Sequence, residues 1–354
     1  MNPHVYVGID GGGTRTRLAL AAGDGTILCV VEGECVSFVE LGAELAQARL
    51  VRLWAKAWKA AGATPRRADG LFIGSGSVLA PTDEETYCQL AAAAGLADRA
   101  SIWAGNDAVN ALAGGLEGRP GILLICGTGS VCFGRNAAGE TWRVGGWGHL
   151  IDDAGSAYAL AKAALLAAVR ATDGRGPSTV LSDIARQHLG LADMRELYRR
   201  VHDGGGNRAE MAALAPLVAA AAEQANDAEA QRILRTGAGH LAEMVSTVSR
   251  RLGLGSPELY LTGGLIDQVA GYRQLFLDAL ALPIPKYSLA AGGFPPVLGA
   301  VLLAVRRAAG KRPETDFLCQ LRRTAGTWCD REDRAACQKP DEALVKQRAN
   351  AAEL

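Results

Sequence analysis

Two stretches of the chain share one hydrophobic grammar. The first, VYVGID-GGGT-RTRLALA, runs from Val5 to Ala21, and the second, GILLIC-GTGS-VCFGR, runs from Gly121 to Arg135. Each is an apolar, partly β-branched run, a glycine bend carrying hydroxyls, and a second run that alternates like a strand. Glycine bends flanked by strands on both sides predict hairpins. Their recurrence near the start of two long α/β stretches predicts a duplicated domain.

After the first hairpin the pattern shifts to helical spacing from about Val39 to Gly62, with Leu41, Leu45, Leu53 and Trp54 on the apolar side. A strand follows at Gly70–Gly74, a helix at about Thr82–Gly95, a short strand at Ser101–Ala104 and a helix at Ala108–Leu116. The second half reads as mainly helical from Gly155 to about Leu252. The strand Glu258–Gly264, a helix near Asp267–Ala281 and a returning helix at Phe294–Ala309 complete it. This predicts an α/β protein with an N-terminal lobe over 1–117 joined by the returning helix 294–309, and a C-terminal lobe over 118–293. The segment 310–354 is charged and weakly periodic, and reads as a solvated, partly disordered extension.

Composition narrows the function. A chain of 354 residues with 49% hydrophobic residues can bury a core in each of two domains. Its 37 basic side chains match 37 acidic ones, so no basic excess exists to hold a nucleic acid. The eight cysteines form no CxxC pair, and Cys29, Cys126 and Cys132 sit in apolar runs. That usage suits a reducing compartment. No charged leader with a long apolar region precedes VYVGI, and the most apolar helical stretch, Ala157–Val169, is interrupted by Lys162 and too short to cross a bilayer. A cytoplasmic protein with a small-molecule ligand and no membrane contact is expected.

The glycine bends carry the chemistry. In Asp10-Gly11-Gly12-Gly13-Thr14, backbone N–H groups can approach an anion without Cβ obstruction and form a nest for phosphate. Asp10 can hold Mg²⁺, which keeps several of its waters, and Thr14 and Thr16 add hydroxyls. A dinucleotide fingerprint would place a helix after the glycines and a P-loop would add Gly-Lys-Ser/Thr; neither occurs. Taken alone, DGGGT could also be only a tight hairpin turn. Gly127-Thr128-Gly129-Ser130 repeats the chemistry, and Gly263-Gly264, after a third strand, would let backbone approach an adenosine. Together these loops point to one bound triphosphate.

Asp107 ends the strand predicted at WAGND, and a carboxylate at the C-terminal end of a strand points toward the crevice where α/β proteins bind ligands. There it could take the proton of an attacking hydroxyl in phosphoryl transfer, or simply cap the next helix. The segment Val144–Tyr158, VGGWGHLIDDAGSAY, combines glycines, Trp147 and the paired carboxylates Asp152 and Asp153 in one loop. Its carboxylates offer the directional acceptors that a sugar needs. His149 has no second ligand at metal spacing and reads as a buried, hydrogen-bonded histidine.

These residues carry a resemblance. DGGGT, Asn106-Asp107, CGTGS, GGWGHLIDDAGSAY, LTGG and PPVLGAVLLA resemble, in order over about residues 5–309, the BadF/BadG-type ATPases, and within them the N-acetylglucosamine and glucosamine kinases. The resemblance implies a two-lobed, actin-like ATPase fold of ribonuclease H-like halves, with ATP and Mg²⁺ in a cleft between lobes. It implies phosphorylation of an amino sugar at its 6-hydroxyl and suggests a homodimer. By motif position Asp10, Gly11, Gly12, Gly13, Thr14, Thr16, Gly127, Thr128, Gly129, Gly263 and Gly264 would serve the nucleotide and Asp10 the metal. Asp107 would be the base. Ser37, Asn106, Asp107, Ser130, Gly146, Trp147, Asp152 and Asp153 would face the sugar.

Departures fall on the sugar side: Ser37 stands where such kinases carry Asn, Val131 replaces an Asn after the second bend, and Asp152-Asp153-Ala154-Gly155-Ser156 replaces Gly-Asp-Glu-Gly-Ser. Two other readings compete. An ATPase that activates a partner enzyme through a bridging iron–sulfur cluster would need thiolates, which the strand cysteines Cys126 and Cys132 do not suit. A sugar-sensing repressor would add a helix-turn-helix and a basic face, and a filament-forming actin relative would lack the GGWGHLIDDAGS loop.

Overall fold

The computed structural model describes residues 4–202, 207–290, 292–326 and 328. The chain divides into two compact units, one formed by Met1–Arg119 with Ala290–Leu354 and the other by Pro120–Leu289. Each is described on its own below.

The first unit is built on a five-stranded sheet with strands β1 (Val5–Gly11), β2 (Arg15–Ala22), β3 (Ile27–Glu34), β4 (Gly70–Ser75) and β5 (Ile102–Gly105). Their order is β3-β2-β1-β4-β5. The first three pair antiparallel, and β1, β4 and β5 run parallel. The second unit repeats this plan with β6 (Gly121–Cys126), β7 (Ser130–Arg135), β8 (Thr141–Gly145), β9 (Glu258–Thr262) and β10 (Ser288–Leu289). Read from its far edge, its order β8-β7-β6-β9-β10 has the same two antiparallel pairings followed by two parallel ones. The duplication expected from the two glycine hairpins is thus present in the topology.

Apolar alternation decides the burial. Val5, Val7 and Ile9 of β1 and Leu18 and Leu20 of β2 pack with Leu50, Leu53, Trp54, Ala57 and Trp58 of the helix Ala43–Ala61. On the other side Ala19 and Ala21 meet Val297, Leu298, Val301 and Leu302 of the helix Pro296–Ala309. That returning helix lies so close to β1 that a Cβ on Gly8 would stand 2.4 Å from the Val297 carbonyl oxygen. In the second unit Ile122 and Leu124 of β6 share a core with Leu160, Leu241, Val245, Tyr272 and Phe276.

Several expectations are corrected. The helix read as Val39–Gly62 is two, Phe38–Leu41 and Ala43–Ala61, parted at Gly42, whose φ of 79° lies in the left-handed region that glycine accepts. The helix read from Asp267 begins earlier, as Gly264–Gln268, and resumes as Ala270–Ala281 after a break at Val269.

The segment after 310 is not simply solvated. Thr315–Ala325 is a helix whose Phe317, Leu321 and Ala325 are buried beside Ile27, Val297 and Val301. The Ile27 N–H donates to the Thr324 hydroxyl at 3.1 Å, and the Gln320 amide donates to Thr26 at 2.7 Å. Spacing of four between those apolar residues marks an amphipathic helix; its charged flanks hid it. The remainder of the extension, 329–354, lies outside the described residues. Among the described residues no helix is long and apolar enough to cross a membrane.

Candidate functional site

In the first unit the parallel register lines up Asp10, Gly74 and Gly105 in one row across β1, β4 and β5. Just beyond that row, at the carboxyl ends of the strands, lie the Gly11–Thr14 bend, the Ser75–Ser77 turn and Asn106-Asp107. Gly12, Gly13 and Thr14 are exposed, and a Cβ on Gly13 would meet nothing within 4 Å. The Gly12 N–H closes the bend on the Arg15 carbonyl at 2.9 Å. The Gly76 N–H donates to the Gly11 carbonyl at 3.3 Å, which ties the β4 turn to the bend.

Asp107 is not the end of a strand, since β5 stops at Gly105. It is the first residue of the helix Asp107–Gly115. The capping role falls to Asn106, whose side-chain oxygen accepts from the Ala108 N–H at 3.1 Å while its amide donates to the Val78 carbonyl at 3.1 Å. The exposed Asp107 carboxylate overlies the β4 turn, with Oδ2 3.1 Å from where a Cβ on Gly76 would stand. The alternative reading of Asp107 as the helix cap is therefore excluded.

Asp10 is fixed from a direction that the motifs did not announce. The Asn110 amide donates to Asp10 Oδ1 at 2.9 Å and to the Ile9 carbonyl at 3.1 Å. Position three past Asp107, on the same helix face, was the available signal. A second unannounced group is Tyr87, whose hydroxyl meets Ser77 at 2.8 Å and Ser75 at 3.0 Å and donates to the Val36 carbonyl at 3.4 Å. It joins the β4 turn to the segment carrying Ser37.

Thr16 and Ser37 are placed differently from the exposed bend. Thr16 is fully buried within β2 and Ser37 is 4% exposed, and each hydroxyl oxygen lacks a hydrogen-bond partner in the protein. The structure does not bring the Thr16 hydroxyl to the loop surface.

The second unit assembles the other glycines. Gly127 follows β6 and Gly263 follows the parallel β9, and a Cβ on Gly127 would lie 3.5 Å from the Gly264 nitrogen. Gly263 holds φ at 119°, and a Cβ there would strike the Cys126 backbone at 2.6 Å, so only glycine fits. Its N–H donates to Asp267 at 2.9 Å, which pulls that carboxyl down, yet burial dominates and leaves it raised. The Gly127 and Thr128 carbonyls accept from Ala157 and Tyr158 at the start of the helix Ala157–Thr172, so loop and helix are one piece.

The sugar-loop residues divide. Trp147 is 72% exposed, with Leu150 and Ile151 also exposed beside it. Gly146 turns at φ 71° against Val131. Asp152 accepts from the Ala154 N–H at 3.3 Å, and the Ser130 hydroxyl donates to the Ala154 carbonyl at 2.8 Å. Asp153 is 3% exposed, held at φ 59° and paired with Arg208 at 2.7 Å. A Cβ on Gly129 would stand 2.5 Å from the Arg208 guanidinium and 2.8 Å from the Asp153 carboxylate, so the pair lies directly under the second bend. Arg208 carried no motif and was not foreseen. His149 is half-buried and meets the Tyr158 ring edge-on at 4.9 Å, rather than being buried and hydrogen-bonded.

The residues present fit the expected ligands. A carboxylate fixed beside an exposed glycine bend suits a hard cation that keeps its waters and shares phosphate oxygens, and the two bends offer the backbone N–H groups that phosphates take. Among the described residues no group of three or more His, Cys, Asp or Glu could form a metal cage. Burial pushes the Cys126 thiol up to about 12 and Cys132 higher still, so neither is a ready thiolate.

The sequence profile of the BadF/BadG/BcrA/BcrD ATPase family matches residues 7–304. The chain belongs to this family. It is 31% identical over 300 residues to the N-acetylmuramic acid/N-acetylglucosamine kinase of Clostridium acetobutylicum, covering 84% of this chain and 97% of that one. It is 28% identical over 316 residues to the N-acetyl-D-glucosamine kinase of Dictyostelium discoideum, covering 86% and 99%. Among solved structures, a Chromobacterium violaceum protein assigned by name to the N-acetylglucosamine kinases superposes with a TM-score of 0.61 at 26% identity, covering 86% of this chain and all of that one. The fold is accordingly the two-lobed α/β fold of the sugar kinases, and these relatives are phosphotransferases.

Proposed function

We propose that this protein is an ATP-dependent kinase that phosphorylates an amino sugar, N-acetylglucosamine or a close relative, at its 6-hydroxyl. The observation that carries the reading is Asp107. Its carboxylate is exposed at the first turn of a helix, relieved of capping by Asn106, and set over the same turn that hydrogen-bonds to the Gly11 bend. A base for an attacking alcohol needs that placement beside a phosphate-binding loop.

In the proposed reaction the sugar oxygen bonds to the γ-phosphorus as the bond from that phosphorus to the bridging β–γ oxygen breaks. Asp107 takes the hydroxyl proton and ADP departs with the electron pair. Gly13 and Thr14 of the first bend offer N–H donors to phosphate oxygens, and Thr128 and Gly129 of the second bend offer the same, while the Gly12 and Gly127 N–H groups close the bends themselves. Asp10 would hold Mg²⁺ through its waters. When bound, Mg²⁺ neutralises charge on the phosphates. Ser37, Asn106, Asp152 and Trp147 are assigned to the sugar, and a homodimer is carried over from the resemblance.

That the relatives are N-acetylglucosamine kinases supports an amino-sugar acceptor.

A coupled ADP-release assay over glucosamine, N-acetylglucosamine, N-acetylmuramic acid and plain hexoses tests the proposal, with phosphorus–proton correlation NMR locating the phosphate. Turnover that requires an amino sugar and yields the 6-phosphate is expected. ATP hydrolysis indifferent to every sugar would overturn the reading.

A further inference from the structure

Asn110 is fully buried in the helix Asp107–Gly115, and it reaches Asp10, 100 residues away in sequence. Both hydrogens of its amide are committed, one to the Ile9 carbonyl and one to the Asp10 carboxylate. Turning the amide over would set its oxygen against two acceptors, so the orientation is determined. The fold makes unusual room for it. A Cβ on Gly74 would stand 2.1 Å from the Asn110 amide nitrogen and 2.4 Å from its amide oxygen. The amide oxygen has no partner in the protein, which costs stability. A leucine would fill similar space without that cost, so the site keeps an amide for what the amide holds.

We propose that Asn110 is a positioning residue that locks the Asp10 carboxylate in the rotamer used to receive the magnesium-bound nucleotide. The helix Asp107–Gly115 then carries two functions: its first residue faces the acceptor and its fourth fixes the carboxylate on the phosphate side. The spacing of the two groups is thereby set by one rigid element. The proposal rests on the assignment of Asp10 to the cation and deepens the kinase reading.

The test is calorimetric titration of ATP binding against magnesium in Asn110→Leu, which keeps volume, and Asn110→Ala, with melting temperature measured in parallel. Partners that orient a metal ligand typically change affinity about 10- to 100-fold, and a rise of that order in the half-saturating magnesium concentration is expected. Sugar affinity should not move. In an Asp10→Asn background the Asn110 changes should add nothing further, since a shared function is non-additive. Unchanged magnesium dependence in folded variants would overturn the proposal, as would full additivity. Loss of folding in both variants would also count against it, by assigning the amide to the core. If magnesium dependence shifts while no sugar in the panel is phosphorylated, the kinase reading fails and the positioning role stands.

Discussion

Asp153 and Arg208 form an ion pair at 2.7 Å in which the carboxylate is 3% exposed and the guanidinium 43%. Asp153 holds this place at φ 59°, a conformation that most side chains avoid and Asp tolerates. Its Oδ1 also faces the Ser130 N–H at 3.5 Å. The carboxylate therefore braces the second glycine bend from below. Removing Arg208 leaves that buried charge without its counter-ion, while Arg208, being partly solvated, costs less to lose than a fully buried partner. Arg208→Ala should destabilise the protein by about 2 kcal/mol, in the range for hydrogen bonds to charged groups, and should weaken ATP binding through the bend. Thermal denaturation and nucleotide titration check both effects; an unchanged melting temperature with unchanged nucleotide affinity would make the pair dispensable.

Asp107 makes a separate prediction because Asn106 already caps its helix. Asp107→Asn should leave the helix and both substrate affinities intact and lower kcat by about 10²–10⁴-fold, the usual contribution of a general base. Rapid-quench turnover and equilibrium binding, measured on the same protein, separate the two quantities. Near-normal turnover would remove Asp107 as the base.

Glycine positions separate folding from ligand approach. Gly13→Ala meets open space and has no positive φ to strain, so its melting temperature should stay within about 1 °C of wild type, as for surface substitutions of small effect. Any loss of nucleotide affinity would then report the approach of phosphate to the bend. Gly299→Ala would drive a methyl to 2.0 Å from the Asn110 backbone oxygen and should destabilise strongly, by about 1–3 kcal/mol or more for overpacking. Equal melting temperatures for the two variants would refute this account of the returning helix.

Much of this was legible in the residues, and what was not has a physical cause. The two hairpins and their glycine bends follow local rules of alternation and turn chemistry, so Val5–Ala21 and Gly121–Arg135 revealed them, whereas the strands Ile27–Glu34, Thr141–Gly145 and Ser288–Leu289 were not read from the sequence. Asn110, Tyr87 and Arg208 act through contacts distant in sequence, at separations of 100, 51 and 55 residues; only Asn110, three past Asp107 on one helix face, carried a local signal. The burial of Thr16 was missed because a hydroxyl next to a glycine bend looks the same whichever face of the strand it takes. The helix Thr315–Ala325 was missed because its apolar stripe is narrow and its charges dominate composition.

Asp227 gives the pH dependence. It caps the helix Ala228–Arg251, accepting from the Ala230 N–H at 2.9 Å, and its other oxygen accepts from the Thr179 hydroxyl and the Val180 N–H, each at 2.9 Å. Burial pushes its carboxyl upward, but the Ala230, Val180 and Thr179 donors outweigh burial and hold it below the ordinary carboxylate range. A carboxyl depressed in the folded state stabilises the fold fully above its unfolded value of about 3.9. That contribution is lost as pH falls through the lower folded value. Asp227→Ala should therefore lower stability by about 1–2 kcal/mol at pH 7, the cost of deleting a helix cap, with the gap to wild type narrowing below about pH 4. Urea denaturation of both proteins from pH 7 to pH 3 measures the gap directly. A gap that stays constant through pH 3 would show that the ionised carboxylate is not what ties the helix start to Thr179.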